Sequence, residues 1–148
     1  MRSISGVLLI LLLGASPGWA ALGEQESSVS ADGQFLRGQI RREVREGYRL
    51  HQITDANGAV IREYVSPAGK VFGVSWQGPF VPNMQQLLGS YFTYLQQYAQ
   101  AQTGRHGGPL IIQNDKFVFI SGGHMRWHQG HAYAPGLLPA NLSPEVVQ

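Results

Sequence analysis

Residues 48 to 76, YRLHQITDANGAVIREYVSPAGKVFGVSW, decide how this chain folds. Three runs rich in β-branched and aromatic residues are separated by Asp55-Ala56-Asn57-Gly58 and Ser66-Pro67-Ala68-Gly69. Each punctuation opens on a residue that starts a type I turn and closes on glycine, and Pro67 takes the position where its fixed φ is already correct. This grammar suits three-residue hairpins whose glycine is left-handed. Pairing Asp55 with Ala59 sets Leu50 opposite Tyr64 and Thr54 opposite Val60. Pairing Ser66 with Lys70 sets Tyr64 opposite Phe72 and Val60 opposite Trp76. One face of the meander then collects Leu50, Val60, Tyr64, Phe72, Val74 and Trp76, with Gln52 and Arg62 as exceptions. A one-residue slip would turn the whole set to the other face, so agreement between turn and pattern carries weight.

Downstream, QGPFVP interrupts the β pattern, and NMQQLLGSYFTYLQQYAQAQTG follows at residues 83–104. Asn83 is a cap, and Gln86 three positions later completes a capping-box arrangement. Met84, Leu87, Leu88, Tyr91, Phe92, Leu95, Tyr98 and Ala99 recur at helical spacing, which predicts one amphipathic helix over 83–102 with a buried stripe. PLIIQ, Asn114-Asp115 and KFVFISGG predict a hairpin, and HMRWHQGHAYAP a third strand after it. Upstream, Val29, Leu36, Ile40 and Val44 predict a short helix around 27–37 and then extended chain. The fold expected is α+β: a mainly antiparallel meander sheet in two three-stranded sections, one long amphipathic helix on its apolar face and a short N-terminal helix. Residues 21–134 form the domain, and the proline-bearing segment 135–148 is expected to be an irregular C-terminal tail.

The chain opens MRSISGVLLILLLGASPGWAALGE. Arg2, the apolar run Val7–Leu13, the break at Pro17-Gly18 and the small residues Gly18 and Ala20 have the order of a secretory leader, residues 1–20, cleaved after Ala20. The apolar core is far shorter than the ~20 residues that span a bilayer. A periplasmic or secreted location follows as an expectation, with no transmembrane segment in the mature chain. There is no cysteine, which excludes disulfides and thiolate metal sites. Without Arg2, ten lysines and arginines face nine aspartates and glutamates. So small a balance gives little steering and argues against nucleic acid as a partner.

The candidate chemistry lies in SGGHMRWHQGH, residues 121–131. On a helix, His124, His128 and His131 would share a face and could bind Zn²⁺ or Cu²⁺. The flanking glycines and alternating aromatics favour a strand, on which His124 and His128 share a face and His131 points away. His124, Arg126, Trp127 and Tyr133 are the candidate ligand-binding residues. An enzyme site assembled from distant residues such as His51, Glu63 and His124 is a further alternative. The glycine-rich GRHGGP lacks the ending of a phosphate loop, and no cofactor is expected.

REYVSPAGKVFGVSWQGP, LLGSYF and SGGHMRWHQGHAYAPGLLP, in that order, resemble a family of small exported bacterial proteins known only as a domain of unknown function. The resemblance covers nearly the whole mature chain. It implies a signal peptide, a single compact domain and Gram-negative origin, and it transfers no catalytic residue. Its pattern includes Ser121 to Arg126 and leaves out His128 and His131, which weakens the three-histidine reading. The function expected is that of a non-catalytic binding or accessory module of the cell envelope, acting on a peptide, protein or envelope component. Expressed with its leader in a Gram-negative host, the protein should be recovered outside the cytoplasm with Ala21 as its first residue. N-terminal sequencing that still finds Met1 there would remove the leader assignment.

Overall fold

The computed structural model describes residues 22–102, 104 and 107–148. The expected leader and its cleavage site after Ala20 lie outside the described residues. A single seven-stranded sheet organises the chain, in the order β1-β2-β3-β4-β7-β6-β5, with every neighbouring pair antiparallel. The strands are β1 (Gln39–Arg45), β2 (Tyr48–Thr54), β3 (Val60–Val65), β4 (Val71–Gly78), β5 (Leu110–Gln113), β6 (Val118–His124) and β7 (Trp127–Tyr133). The α+β class stands. The division into two three-stranded sections does not: the extended chain at 39–45 is a fourth strand of the first section, and β4 pairs with β7 to join both sections into one sheet.

The two turns behave as their sequences require. Asp55 Oδ1 accepts hydrogen bonds from the amides of Asn57 and Ala59, both at 2.8 Å. Gly58 and Gly69 adopt φ of +83° and +81°, the left-handed region that a side chain disfavours. Leu50 lies opposite Tyr64 and Thr54 opposite Val60, the expected pairs. On the other side of β3 the expected register fails by one residue. A bulge between Tyr64 and Val65 leaves Phe72 as the extra residue of β4, so Tyr64 faces Gly73 and Val60 faces Gln77. The bulge divides the expected apolar face in two. Tyr64 and Phe72 pack with Tyr48, Leu50, Tyr133 and the buried Val147 on one side of the sheet. Val74 and Trp76 join Ile53, Ile61, Leu87, Leu88 and Phe119 on the other.

Helices cover this second side. They are α1 (Val29–Phe35), α2 (Met84–Leu88) and α3 (Phe92–Ala101). Asn83 caps α2 by accepting from the Gln86 amide at 3.2 Å. The Gln86 side chain does not complete a capping box, because its Nε2 donates instead to Asp32 Oδ1 of α1 at 2.6 Å. The single helix expected over 83–102 is interrupted. Gly89 takes φ +52° at the end of α2, and a 3₁₀ turn over Gly89–Tyr91 re-aims the chain before α3. The re-aiming lays Tyr91 and Tyr94 on Phe117, with ring centroids 5.8 and 5.6 Å apart. No residue of α3 is fully buried, and it covers the sheet with the half-buried Leu95 and Tyr98. Among the described residues no helix is long and apolar enough to cross a membrane.

Residues 135–148 fold back across the opposite side of the sheet. They contain two 3₁₀ turns, Pro135–Leu137 and Pro144–Val146, and seat Leu142 and Val147 against the Tyr64–Phe72 cluster. Gly73 is small for this reason: a Cβ there would come within 2.7 Å of Val147. An analogous close approach on the helix side generates a prediction. A Cβ at Gly130 would lie 2.4 Å from Trp76 Cζ2 and 2.6 Å from the Ile120 carbonyl oxygen. Gly130→Ala should therefore destabilise the protein by about 1–3 kcal/mol through overpacking, seen as a fall in Tm of several degrees. Gly136→Ala, where nothing lies within 4 Å, should leave Tm within a degree or two.

Candidate functional site

The motif SGGHMR is the end of β6 and the turn after it. Met125 and Arg126 form a two-residue turn closed by the pairing of His124 with Trp127. Gly123 is needed because a Cβ there would come within 2.4 Å of the Trp127 carbonyl oxygen. Residues 127–133 are a strand, so the helical stacking of three imidazoles does not form. His124 and His128 line a wide hollow of about 590 Å³ with Met125 and with Tyr98 of α3. His131 lines a separate hollow with Arg62. Arg126 is exposed at the turn with Met125, which is 97% exposed, and Tyr133 is taken up by the cluster under residues 135–148. The candidates His124, Arg126, Trp127 and Tyr133 therefore do not converge on one hollow. Among the described residues no three histidine or carboxylate side chains are grouped to hold a metal ion.

The trio His51, Glu63 and His124 is likewise divided, but two of its members meet. His51 and Glu63 are directly opposed across β2 and β3. His124 lies on β6, four strand spacings from β2 or about 19 Å at 4.8 Å each. His51 and Glu63 are 3% and 1% exposed beneath α1, and Asp32 of that helix is 2% exposed beside them. Glu26 ties the same segment down: it takes both Nε and Nη2 of Arg49, at 2.9 and 2.6 Å, and Nε2 of His51 at 2.8 Å. Arg49 holds the Glu26 carboxyl below its ordinary value of 4.5 against the cost of burial, with His51 adding to the effect. Glu63 is pushed the other way, well above 4.5, first by burial and then by Asp32. As a carboxylate Glu63 would have neither oxygen partnered. A proton shared with Asp32 supplies the missing donor, since two carboxylates in contact in a dry site cannot both ionise. The opening that Asp32 and Gln86 line beside this cluster measures about 10 Å³, too little for a substrate.

The other side of the sheet presents a different surface. Strand register places Arg41, Gln52, Arg62, Ser75, His131, Ile120 and Ile111 in one row across all seven strands. The next row runs Gln39, Thr54, Val60, Gln77, Gln129 and Gly122. Residues 135–148 cover the neighbouring row with Tyr64 and Tyr133 and leave these two open except at their border. There the Gln148 carbonyl oxygen accepts from Ser75 Oγ at 2.7 Å and from Tyr64 Oη at 2.5 Å. Between the larger side chains, Gly122 of the second row leaves a depression. The result is a hollow of about 500 Å³, lined by Arg62, Gln77, Gln129, His131 and Ile120.

Arg62 gives the hollow its charge. Its Nε donates to Gln52 Oε1 at 3.2 Å, and it has no ion-pair partner among the described residues. On the edge strand β1, Arg41 and Arg45 both meet Glu43. Burial pushes the His131 imidazole below its ordinary value of 6.5, so it is neutral at neutral pH. Of these lining residues only His131 stands among the sequence candidates. The available signal for Arg62 was its place, with Gln52, as an exception to the apolar alternation. Gln77 and Gln129 carried no local signal, because only the β4–β7 register brings them together.

The chain belongs to the family described as protein of unknown function DUF2844, whose model matches residues 18–147. No curated protein and no solved structure matches it.

The acid cluster predicts opposite limbs in the pH dependence of stability. Glu63, with its folded value raised, contributes stability that is present below 4.5 and lost as pH rises through the raised value. Glu26, with its value lowered, contributes stability that is present above 4.5 and lost as pH falls through the lowered value. Urea midpoints measured across pH should therefore decline on both sides, and Glu63→Gln should flatten the alkaline limb while leaving the acid limb in place. An alkaline limb unchanged in Glu63→Gln would show that the proton is not held there.

Proposed function

We propose that this protein is a non-catalytic binding module of the cell envelope, exported by its leader, and that it binds through the open polar rows on the side of the sheet opposite the helices. The observation that carries the reading is the division of labour between the two sides. The cluster that joins acids to a base, His51, Glu63 and Asp32, is buried between α1 and the sheet. The solvent-facing hollow instead displays a guanidinium, two glutamine amides and an imidazole around an apolar patch at Ile120. A few convergent polar groups in a concavity of several hundred Å³ are what a small-molecule or side-chain recognition site requires. Amides and a planar guanidinium orient a ligand by hydrogen bonds, and among the described residues no nucleophile paired with a base lines the hollow.

Backbone amide NMR of residues 21–148 tests the reading. Titration with a panel of short peptides and of neutral and acidic oligosaccharides should produce saturable shifts clustered on Arg62, Gln77, Gly122, Gln129 and His131. Shifts confined to other surfaces for every ligand that binds would overturn it. So would turnover of any panel member that is abolished by a single substitution such as His131→Ala.

A further inference from the structure

The lining of the hollow narrows the chemistry of what it takes. We infer that it is a site for a small monocarboxylate whose carboxylate is flanked by hydroxyl or amide groups, with Arg62 as the carboxylate's partner. This rests on the reading of that side of the sheet as a binding surface.

Charge is the first argument. Arg62 is half-buried, fixed at Nε by Gln52, and its two terminal nitrogens have no protein acceptor among the described residues. An arginine held by one edge and open at the other is prepared for the two parallel hydrogen bonds that a carboxylate accepts. The Gln148 carbonyl oxygen at the border of the hollow is held by the Tyr64 and Ser75 hydroxyls, not by Arg62. Among the described residues no acidic side chain and no second cation lines the hollow, and Gln148, whose main chain is at its border, forms no ion pair with Arg62. One positive charge, with a neutral imidazole near it, matches a single negative charge better than a phosphate dianion, which is bound by several cations or by a helix N-terminus.

Polarity is the second argument. Gln77 and Gln129 are direct cross-strand partners, and each amide offers both donors and an acceptor. Such groups are satisfied by hydroxyls or amides and would be left unpaired by a plain hydrocarbon acid. Size is the third. About 500 Å³ lies in the range of sites that enclose a small molecule, room for one or two sugar rings or a short peptide end.

The test titrates the mature chain, followed by amide NMR, with four probes: glucuronate (a carboxylate among hydroxyls), N-acetylglycine (a carboxylate beside an amide), glucose and acetate. Glucuronate or N-acetylglycine should give saturable shifts at Arg62, Gln77, Gln129 and His131, and whichever binds more tightly tells an acidic sugar from a peptide end as the source. Affinity should fall about tenfold in Arg62→Gln and recover in part in Arg62→Lys, while Arg126→Gln at the exposed turn leaves it unchanged. Glucose binding as well as glucuronate at the same residues would overturn the carboxylate assignment while leaving the binding surface standing. Equal affinity in Arg62→Gln would do the same. If none of the four probes shifts these residues at high millimolar concentration, the carboxylate assignment fails, and the wider ligand panel then decides the binding surface separately.

Discussion

The pairing of β4 with β7 is the constraint on which the rest of the structure depends. β4 is the one strand through which the first meander, β1 to β4, and the second, β5 to β7, become a single sheet. Six consecutive residues, Val71 to Trp76, are buried, so both sides of this strand need a cover. A strand buried on both sides reads as an almost unbroken apolar run rather than an alternation. The helices supply one cover and residues 135–148 the other. Trp76 packs down on Gly130 and Phe119 under the helices, and Phe72 is held beneath Val147 on the far side. Loss of the β4–β7 register would displace both covers at once.

How much of this could be read from residues alone depended on the range of the interaction. The register of β2 on β3 was legible because the turn Asp55–Gly58 sets it locally, through one aspartate side chain and one left-handed glycine. The register of β3 on β4 was legible for one residue pair and then lost. Nothing in Val71-Phe72-Gly73 announces an extra residue, and the side chain that packs over Gly73 there, Val147, is 74 positions further on. Gly89 was visible, but a helix tolerates an isolated glycine, and only the need to bring Tyr91 and Tyr94 onto Phe117 turns it into a break. At the candidate site, Arg62 and Gln52 showed as polar residues where the pattern asked for apolar ones. Such exceptions mark the place where a surface stops being core. The histidines drew the eye more and carried less, because strand geometry sends His128 and His131 to opposite sides.

The N-terminal segment follows a different logic from the sheet. Leu22 is buried and its amide donates to the Leu87 carbonyl, while Gly23 and Val71, and Glu26 and Gly69, are joined through the backbone. α1 buries Val29 in the core and adds polar contacts, Asp32 with Gln86 and, from the turn before the helix, Glu26 with Arg49 and His51. Burying carboxyls here costs free energy that an apolar contact would not, and a shared proton is the cheapest way to hold two of them. The same cluster explains why an acid, a base and a second acid can stand together without being a site. Proton transfer to a substrate requires the substrate to reach them, and α1 occupies that approach.

The side opposite the helices gains its character from incomplete cover. Residues 135–148 shield the rows that contain Tyr48, Leu50, Tyr64 and Tyr133, where the side chains are large and apolar. They stop where the register brings in Gln52, Arg62, His131, Gln77 and Gln129, which need no shielding from water. If this open half served only solubility, its charges would be expected to neutralise one another, as Arg41, Arg45 and Glu43 do on the edge strand. Instead Arg62, on the inner strand β3, stands opposite the small Ser75 and has no ion-pair partner among the described residues. The unneutralised guanidinium borders a hollow whose other polar walls are neutral, Gln77, Gln129 and His131. Solubility alone does not call for that arrangement, which is the support it lends to the proposed binding surface.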